Sequence, residues 1–430
     1  MSRRVVVTGI GVVSALGVGC QEHWAALVSG RSAVGRVERL TAAGFPVDVA
    51  AEVPAAAVAS YLPRLPRKQL KLYNRATTFA MAAAALAAEE AGLPARVADA
   101  ERSGVVLATL FIPYPIRELL RLLPDMESRE ERGSVDTQRG LAVAMSGLNP
   151  LDLSLKLVPN LTAGHIAIQY GLKGFCRTVS DGCTGGMHAI AQAASLIRGG
   201  ELDLAFCGGA EASLEDLVFA DLCATGCLAT PVAPAERTCR PFGAGRAGTV
   251  AGEGAAVLIL ESLDHARARG AAARGEVLGF GGAIGPPTPD GLRGSMERAM
   301  AEALAESGLA GVDMVSTNGD AGRLSDQAEA ESLRAMFPAA LPELYATKAA
   351  HGHLFSAAAP LEVAGALLAL RESVVPPSRN GEDADPACGV TLSPASRPRA
   401  GLSTALVNAM GAYGEAASLV LARGGDRHSH

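Results

Sequence analysis

Short apolar runs typical of strands alternate with longer segments typical of helices along this 430-residue chain, and the series occurs twice. The first series ends near residue 262, and the second begins at EVLGFGGAIG, residues 276–285. Strands that alternate with helices predict an α/β fold with a parallel sheet covered by helices on both faces. We therefore expect two similar α/β halves, residues 1–262 and residues 263–425.

Two segments depart from this alternation. Residues 110–140 are less regular and are expected to form an insertion or a lid. The tail, residues 424–430, is expected to be disordered, and its two histidines are given no role.

Composition limits the classes of function. The net charge of −6 gives no electrostatic footprint for nucleic acid. No apolar run has the roughly 18–20 residues of a transmembrane helix, so no membrane association is expected. The basic and then apolar start, MSRRVVVTGIGVVSALG, has the outline of a signal peptide, but its alternation and glycine spacing favour a buried strand and a turn.

The eight cysteines do not form a CxxC pair, which favours a reducing cytoplasm over a disulfide-forming compartment. Cys223 and Cys227 are four residues apart, but no second pair of ligands follows them. We therefore expect no zinc site and no other metal site.

The stretch RTVSDGCTGGMHAIAQAASLIRGG, residues 177–200, contains a cysteine between glycines where a strand pattern becomes a helical one. One apolar stripe predicts a buried helix over 184–199 with Cys183 at its N-terminus. The stripe consists of Met187, Ile190, Ala194 and Ile197. The helix dipole favours a thiolate there, and the glycines let a ligand approach the backbone. From this stretch alone, Cys183 is either a nucleophile or a small buried cysteine on a turn.

A nucleophilic cysteine needs a group that manages protons and a site for the oxyanion. His165 lies on an apolar helical segment and is expected to be structural, and His188 is expected to point away from Cys183. Lys348, His353 and Glu362 cluster with small residues in ATKAAHGHLFSAAAPLE, residues 346–362. This cluster predicts a crowded polar pocket, and the alternative for Lys348 is a solvated loop charge.

Five stretches carry a resemblance that extends over nearly the whole chain. They are RRVVVTGIGVVSALG, NLTAGHIAIQYGLKG, VSDGCTGGMHAIAQAASLIRGGELDLAFCGGAEA, CRPFGAGRAGTVAGEGAAVLILE and ATKAAHGHLFSAAAPLEVAGALLAL. Together they resemble the β-ketoacyl-acyl carrier protein synthases, the condensing enzymes of fatty acid and type II polyketide assembly. The resemblance implies the thiolase fold, in which two pseudo-repeated α/β halves form five layers, usually in a dimer.

The resemblance also implies roles for single residues. Cys183 is the position that takes the acyl chain as a thioester, and its backbone N–H and that of Ala412 would form the oxyanion hole. His353 matches the second histidine of the family, and Lys348 and Glu362 match the supporting pair. The acyl group would arrive on the phosphopantetheine arm of an acyl carrier protein, so no cofactor held by the chain itself is expected.

The chain departs from the family pattern around one motif. The family's His-Gly-Thr is replaced by Asn318, Gly319 and Asp320. An Asn amide donates a hydrogen bond but takes up no proton at neutral pH, and the loss of one well-placed donor costs about 10²–10³ in rate. Asp320 and Gly322 replace the two threonines that meet the pantetheine arm, and Ala412 replaces the aromatic gate beside the cysteine.

These departures leave three hypotheses. The first is a ketosynthase-family acyltransferase that loads Cys183 and has impaired decarboxylative condensation. The second is a non-catalytic subunit similar to a chain-length factor, because SAAAPLEVAGALLALRESVVPPS resembles that version of the region. The third is an active decarboxylating synthase with a Cys-Asn-His site.

The expected partners are an acyl carrier protein and a second chain. The family dimerises through the strand near the nucleophile, here GFCRTVS, residues 174–180. An unpaired strand edge would expose backbone donors and acceptors, which favours pairing. We expect an obligate dimer, either a homodimer or a heterodimer with a ketosynthase.

Overall fold

The computed structural model describes residues 3–61, 65, 67–114, 116–128, 133–148 and 155–425. The expectation for tail residues 426–430, and that for residues 115 and 129–132 of the insertion, therefore lies outside the described residues. Within the described part of the chain, no helix is both long enough and apolar enough to cross a membrane.

The strands are β1 (Val5–Ser14), β2 (Gly17–Val18), β3 (Gly35–Arg36), β4 (Val49–Ala50), β5 (Ser103–Ala108), β6 (Cys176–Val179), β7 (Leu204–Glu211), β8 (Gly254–Ser262), β9 (Gly275–Ile284), β10 (Met314–Ser316), β11 (Glu343–Tyr345), β12 (Val374–Val375), β13 (Arg397–Pro398), β14 (Thr404–Met410) and β15 (Glu415–Arg423).

The α-helices are α1 (Cys20–Val28), α2 (Glu38–Ala42), α3 (Ala55–Ala59), α4 (Arg67–Leu70), α5 (Arg75–Glu90), α6 (Ile116–Met126), α7 (Thr137–Gly147), α8 (Asn160–Tyr170), α9 (Gly185–Arg198), α10 (Asp216–Thr225), α11 (Leu263–Ala268), α12 (Pro289–Ser307), α13 (Arg323–Met336), α14 (Lys348–His351) and α15 (Ala358–Glu372). Short 3₁₀ turns cover Ala100–Arg102, Gly182–Thr184, Ala235–Arg237, Phe355–Ala357 and Gly381–Asp383.

Two sets of five strands share one order and one pattern of directions. The first set runs β6-β5-β7-β8-β1 and the second runs β11-β10-β14-β15-β9. In each set the first three strands are parallel, and the remaining two pairings are antiparallel. The sets join where Val5–Val7 of β1 pairs with Gly275–Val277 of β9. The doubled series in the sequence therefore corresponds to a doubled strand arrangement, while the exact boundary at 262/263 stays a prediction.

The sheet is mixed, so the expectation of a parallel sheet is wrong. Only four residues, 411–414, connect β14 to β15, and so short a connection makes the two strands antiparallel. β7 and β8 are antiparallel as well. Apolar alternation along the chain identifies strands but carries no information about their relative direction.

The helices complete five layers. α5 and α8 pack on the outer face of the first strand set, and α12 and α13 pack on the outer face of the second. α9 and α15 lie between the two sets and contact each other. A Cβ on Gly186 of α9 would lie 2.2 Å from the Ser356 carbonyl oxygen, so glycine permits this close approach.

Candidate active site

Cys183 lies in the 3₁₀ turn between β6 and α9, two residues before Gly185, the first residue of that helix. The four residues of the predicted apolar stripe of α9 are all buried, which fixes the helix against the sheet. Cys183 is partly buried and packs beside a cluster that includes Phe355 and Phe111. The rings of Phe355 and His353 are 4.9 Å apart between centroids, so His353 borders the same cluster.

The acidity of Cys183 differs from the expectation. Burial raises the pKa of the Cys183 thiol, and the carboxylates of Glu415 and Asp320 raise it further, whereas Lys348 opposes them. The sequence argument considered only the helix dipole, which stabilises a thiolate by about 0.3–1 kcal/mol at an exposed position. The expectation of a depressed thiol pKa is therefore wrong, because burial and two nearby carboxylates outweigh the dipole.

Lys348, Glu362 and Asn318 form one buried cluster. The Nζ of Lys348 lies 2.7 Å from Oε1 of Glu362, and both side chains are 1% exposed. Nζ also donates to the backbone oxygen of Asn318. Although burial alone would lower it, the pKa of Lys348 is raised by Glu362, so the ammonium stays charged. Burial raises the pKa of Glu362 to about 7, against the effect of Lys348. Lys348 is therefore a buried ion-pair partner and not a solvated loop charge.

The hydrogen bonds of Asn318 orient its amide. Oδ1 accepts a hydrogen bond from the backbone N–H of Met410 at 3.1 Å, and Nζ of Lys348 lies 3.4 Å from the same oxygen. Both donors face the oxygen, so the NH₂ group points away from them. Among the described residues Nδ2 has no hydrogen-bond partner, although Asn318 is only 2% exposed. A buried donor without a partner is available to an acceptor atom of a ligand.

Glu329 holds the backbone on either side of this amide, and the sequence analysis did not single it out. Its Oε1 accepts from the Asn318 N–H at 2.8 Å and from Nδ2 of Asn408 at 3.0 Å. Its Oε2 accepts from the Gly319 N–H at 3.0 Å. Burial raises the pKa of this carboxyl. The signal was an acidic residue on the buried face of a predicted helix, where a carboxylate needs a specific partner.

His353 is buried and is the neutral Nε2–H tautomer. Burial, and next the charge of Lys348, lower the pKa of His353 to about 3. The backbone N–H of Phe355 donates to Nδ1 at 2.8 Å, so the ring proton is assigned to Nε2. The backbone of His353 is fixed by its N–H, which donates to the carbonyl of Val250 at 2.7 Å. The ring can therefore donate one hydrogen bond through Nε2.

The carboxylate of Asp320 acts on both the cysteine and the histidine. It raises the pKa of the Cys183 thiol, and it opposes the lowering of the His353 pKa by burial and by Lys348. Its Oδ1 accepts from the Gly322 N–H at 2.8 Å and from the Ser325 hydroxyl at 2.5 Å. Burial would raise the pKa of Asp320, but His353 and these two hydrogen bonds lower it below its usual value. Gly322 contacts this carboxylate and precedes α13, so it shapes the turn that carries Asp320.

Ala412 lies in the exposed turn between β14 and β15. Glu415 follows the turn, and its Oε2 accepts a hydrogen bond from the Tyr413 N–H at 3.1 Å. A Cβ added to Gly182, the neighbour of Cys183, would meet Oε1 of Glu415 at 2.4 Å. The Glu415 side chain therefore contacts both the turn and Gly182, the neighbour of the nucleophile. The sequence analysis did not single out Glu415. An acidic residue between a glycine-rich turn and an apolar strand was the available signal.

The two other histidines lie where they were expected. The ring of His165 is buried against Tyr73 with centroids 4.6 Å apart, which is a structural position. His188 faces Asp181, with Nδ1 3.1 Å from Oδ2, and packs against Phe280. Neither ring takes part in the cluster formed by Asn318, Lys348 and Glu362.

Comparison with known families identifies the family to which this chain belongs. A family model for the N-terminal domain of β-ketoacyl synthases matches residues 2–266, and the model for the C-terminal domain matches residues 271–382. The chain belongs to the β-ketoacyl synthase family.

Known proteins match the chain along nearly its full length. It is 31% identical to 3-oxoacyl-(acyl-carrier-protein) synthase 2 of Coxiella burnetii (strain RSA 493 / Nine Mile phase I), covering 98% of this chain and 99% of that protein. The ishigamide ketosynthase/chain length factor superposes with a TM-score of 0.83 at 28% identity, covering 99% of this chain and 100% of that one. One chain of a structure of a type II PKS acyl-carrier protein in complex with its ketosynthase superposes with a TM-score of 0.83 at 25% identity, covering 98% of this chain and 100% of that one. The five layers are those of the thiolase fold.

Proposed function

We propose that this ketosynthase-family protein is an acyltransferase that takes an acyl group from an acyl carrier protein onto Cys183. The observation that carries the proposal is the arrangement of donors near the cysteine. His353 offers one N–H, Asn318 offers an amide N–H that has no partner among the residues the structure describes, and both side chains are held by buried contacts. Such fixed donors stabilise the charge that develops on a thioester oxygen.

In the proposed transfer, the sulfur of Cys183 attacks the thioester carbonyl, and the bond to the pantetheine sulfur breaks. The proton of the Cys183 thiol ends on the departing pantetheine thiol, so atoms and charge balance. The backbone N–H groups of Cys183 and Ala412 are proposed to receive the oxyanion. Asp320 and Gly322 are proposed to border the path of the pantetheine arm.

The first experiment measures the intact mass of the protein after incubation with an acyl carrier protein that carries an acyl thioester. We expect the wild-type chain to gain one acyl mass and Cys183→Ala to gain none. The control is Cys176→Ala, which removes an exposed cysteine seven residues earlier and should still be labelled. Equal labelling of the wild type and Cys183→Ala would overturn the assignment of the nucleophile.

We also propose that decarboxylative condensation is impaired, because Asn318 donates a hydrogen bond but exchanges no proton. Release of CO₂ from a malonyl-loaded carrier protein should be about 10²–10³ slower than with a Cys-His-His ketosynthase assayed in parallel. Asn318→His restores the second ring and should raise the rate. Rapid malonyl decarboxylation by the wild-type chain alone would contradict the impaired site and favour an active Cys-Asn-His synthase.

The non-catalytic subunit is a second candidate, and one observation favours it. The thiol of Cys183 is held in its protonated form by burial and by two carboxylates. A chain that is never acylated, yet co-purifies with a Cys-His-His ketosynthase and changes the product length, would have this second function.

A further inference from the structure

Glu415 is the first residue of β15, and its side chain lies back over the turn of residues 411–414. The N–H of Gly411 donates to the Glu415 carbonyl at 2.9 Å, and the N–H of Tyr413 donates to Oε2 at 3.1 Å. The turn therefore holds both the backbone and the carboxylate of Glu415 in place.

The other carboxylate oxygen, Oε1, lies against two glycines. A Cβ on Gly182 would come within 2.4 Å of it, and a Cβ on Gly411 within 1.7 Å. Real Cβ atoms do not approach other atoms this closely, so Glu415 fits this position only because both neighbours are glycine. The backbone of Gly182 also has φ +57°, which glycine adopts without strain.

Gly182 and Gly411 immediately precede Cys183 and Ala412, the two residues whose N–H groups are proposed to bind the thioester oxyanion. One negatively charged oxygen thus lies beside both peptides that a thioester oxygen must approach. A carboxylate carries the same charge as the oxyanion, so a charged Glu415 at this position opposes the entry of a second anion. We propose that Glu415 is a guard residue. Its carboxylate fills the space beside Gly182 and Gly411, which we call the anion-binding corner, and holds the Cys183 thiol unreactive. An incoming thioester then displaces the carboxylate from this corner. This inference rests on the proposed roles of Cys183 and Ala412.

The other charges that face Cys183 are already engaged. Asp320, which follows β10, accepts hydrogen bonds from Gly322 and Ser325, and it interacts with His353. Lys348 of α14 is paired with Glu362. Cys227 contributes only a small effect as a neighbouring thiol. Glu415 is therefore the charge whose removal changes the surroundings of Cys183 without breaking the buried ion pair.

The experiment compares two alkylating reagents, neutral iodoacetamide and anionic iodoacetate, and follows the Cys183 peptide by mass spectrometry. Glu415→Gln keeps the shape and removes the charge, and Glu415→Thr also empties the corner. At neutral pH we expect both variants to react with iodoacetamide about tenfold faster, the effect of one pKa unit on the thiolate fraction. The ratio of the iodoacetate rate to the iodoacetamide rate should rise as well, because an anion can then enter.

The matched control is Asp181→Asn, which removes a carboxylate two residues from Cys183. Its side chain is 58% exposed and faces His188, so both rates should stay at the wild-type level. Thermal unfolding of each variant verifies that the fold is kept. Wild-type rates and an unchanged rate ratio in Glu415→Gln and Glu415→Thr would overturn the guard.

Alkylation needs no carrier protein, so the two proposals fail in different ways. If the chain never accepts an acyl group but its alkylation is faster in Glu415→Gln, the proposed acyl transfer is wrong. The proposal that Glu415 holds the thiol unreactive is then still supported. If the chain is acylated on Cys183 but its alkylation rate is the same with and without Glu415, the proposed acyl transfer is supported. The guard role of Glu415 is then wrong.

Discussion

The ion pair between Lys348 and Glu362 is buried, with each side chain 1% exposed. Removing two charges from water costs nearly as much as their attraction returns, so such a pair adds little net stability. The pair instead positions Asn318, because the Lys348 ammonium also donates a hydrogen bond to the backbone oxygen of Asn318. We therefore interpret the pair as a support for the amide that faces the ligand.

Breaking one side of this pair should be costly, because the remaining charge has no partner. Glu362→Leu, which leaves the buried Lys348 ammonium without its carboxylate, should lower the free energy of unfolding by about 3–5 kcal/mol, and the double variant Lys348→Met with Glu362→Leu should recover most of the loss. Urea unfolding measures both. The exposed pair of Arg293 and Asp290 is the control, since Arg293→Met should change stability by less than about 1 kcal/mol. A Glu362→Leu variant as stable as the wild type would show that Lys348 is not left as an unpaired buried charge.

The site residues show what a sequence can and cannot predict at this scale. Residue types and spacing made Cys183 a candidate nucleophile, and the resemblance paired Lys348 with Glu362, whose side chains lie 2.7 Å apart. The acidity of Cys183 was predicted in the wrong direction, because Glu415 is 232 positions away in the chain and only the fold brings it to Gly182. Electrostatic effects of this kind depend on distances in space, which local sequence does not contain.

At the level of elements, Glu211 joins two strands at the edge that carries the site. It ends β7 and is fully buried, and its Oε1 accepts hydrogen bonds from the Thr109 hydroxyl at 2.9 Å and the Leu110 N–H at 2.6 Å. Thr109 and Leu110 follow β5, so the carboxyl ties the end of β5 to the end of β7. Phe111, the next residue, packs edge-on against Phe355 with centroids 5.0 Å apart. This contact extends from the two strands to the surroundings of Cys183.

Burial raises the pKa of Glu211 from 4.5 to about 7, so the folded chain holds this proton more tightly than the unfolded chain does. The resulting stability is fully present below about pH 4.5 and is lost as the pH rises through about 7. The melting temperature of the wild type, relative to that of Glu211→Gln, should therefore fall across this range, with a free-energy change on the order of 3 kcal/mol. Thermal unfolding at several pH values measures the difference. A difference that is independent of pH would mean that Glu211 titrates alike in both states.

The long elements were predicted within a few residues, because their patterns are strong. The helix expected at 184–199 is α9, and the strand-like start of the second series at 276–285 is β9. β11 was missed, since three residues carry no detectable alternation. The insertion at 110–140 looked irregular but contains α6 and the start of α7. Pro124 within α6 weakened the helical signal there.

At the scale of the whole molecule, β6 lies at one edge of the sheet. In the part of the chain that the structure describes, it pairs only with β5, and Cys176 and Arg177 at its start are exposed. Apolar side chains are also exposed along the chain from Tyr114 to Met145. They are Tyr114, Leu120, Leu123, Val135, Leu141 and Met145. An open strand edge and a group of exposed apolar side chains are both typical of a surface that another chain covers.

We therefore predict that the chain forms an obligate dimer with an interface of about 2,000 Å² or more. Leu141 and Met145 are 62% and 72% exposed on α7, so Leu141→Asp with Met145→Asp should leave the protomer folded and abolish the dimer. Leu324→Asp, an exposed leucine on α13, is the matched control and should stay dimeric. Light scattering gives the mass of each variant, and a monomeric wild-type chain would contradict self-association.

Co-expression with a Cys-His-His ketosynthase then distinguishes the partners, because a heterodimer should co-purify and a homodimer should exclude the second chain. In a heterodimer one complete decarboxylation centre would face the tunnel wall formed by this chain, whereas a homodimer would contain two sites in which Asn318 replaces the histidine.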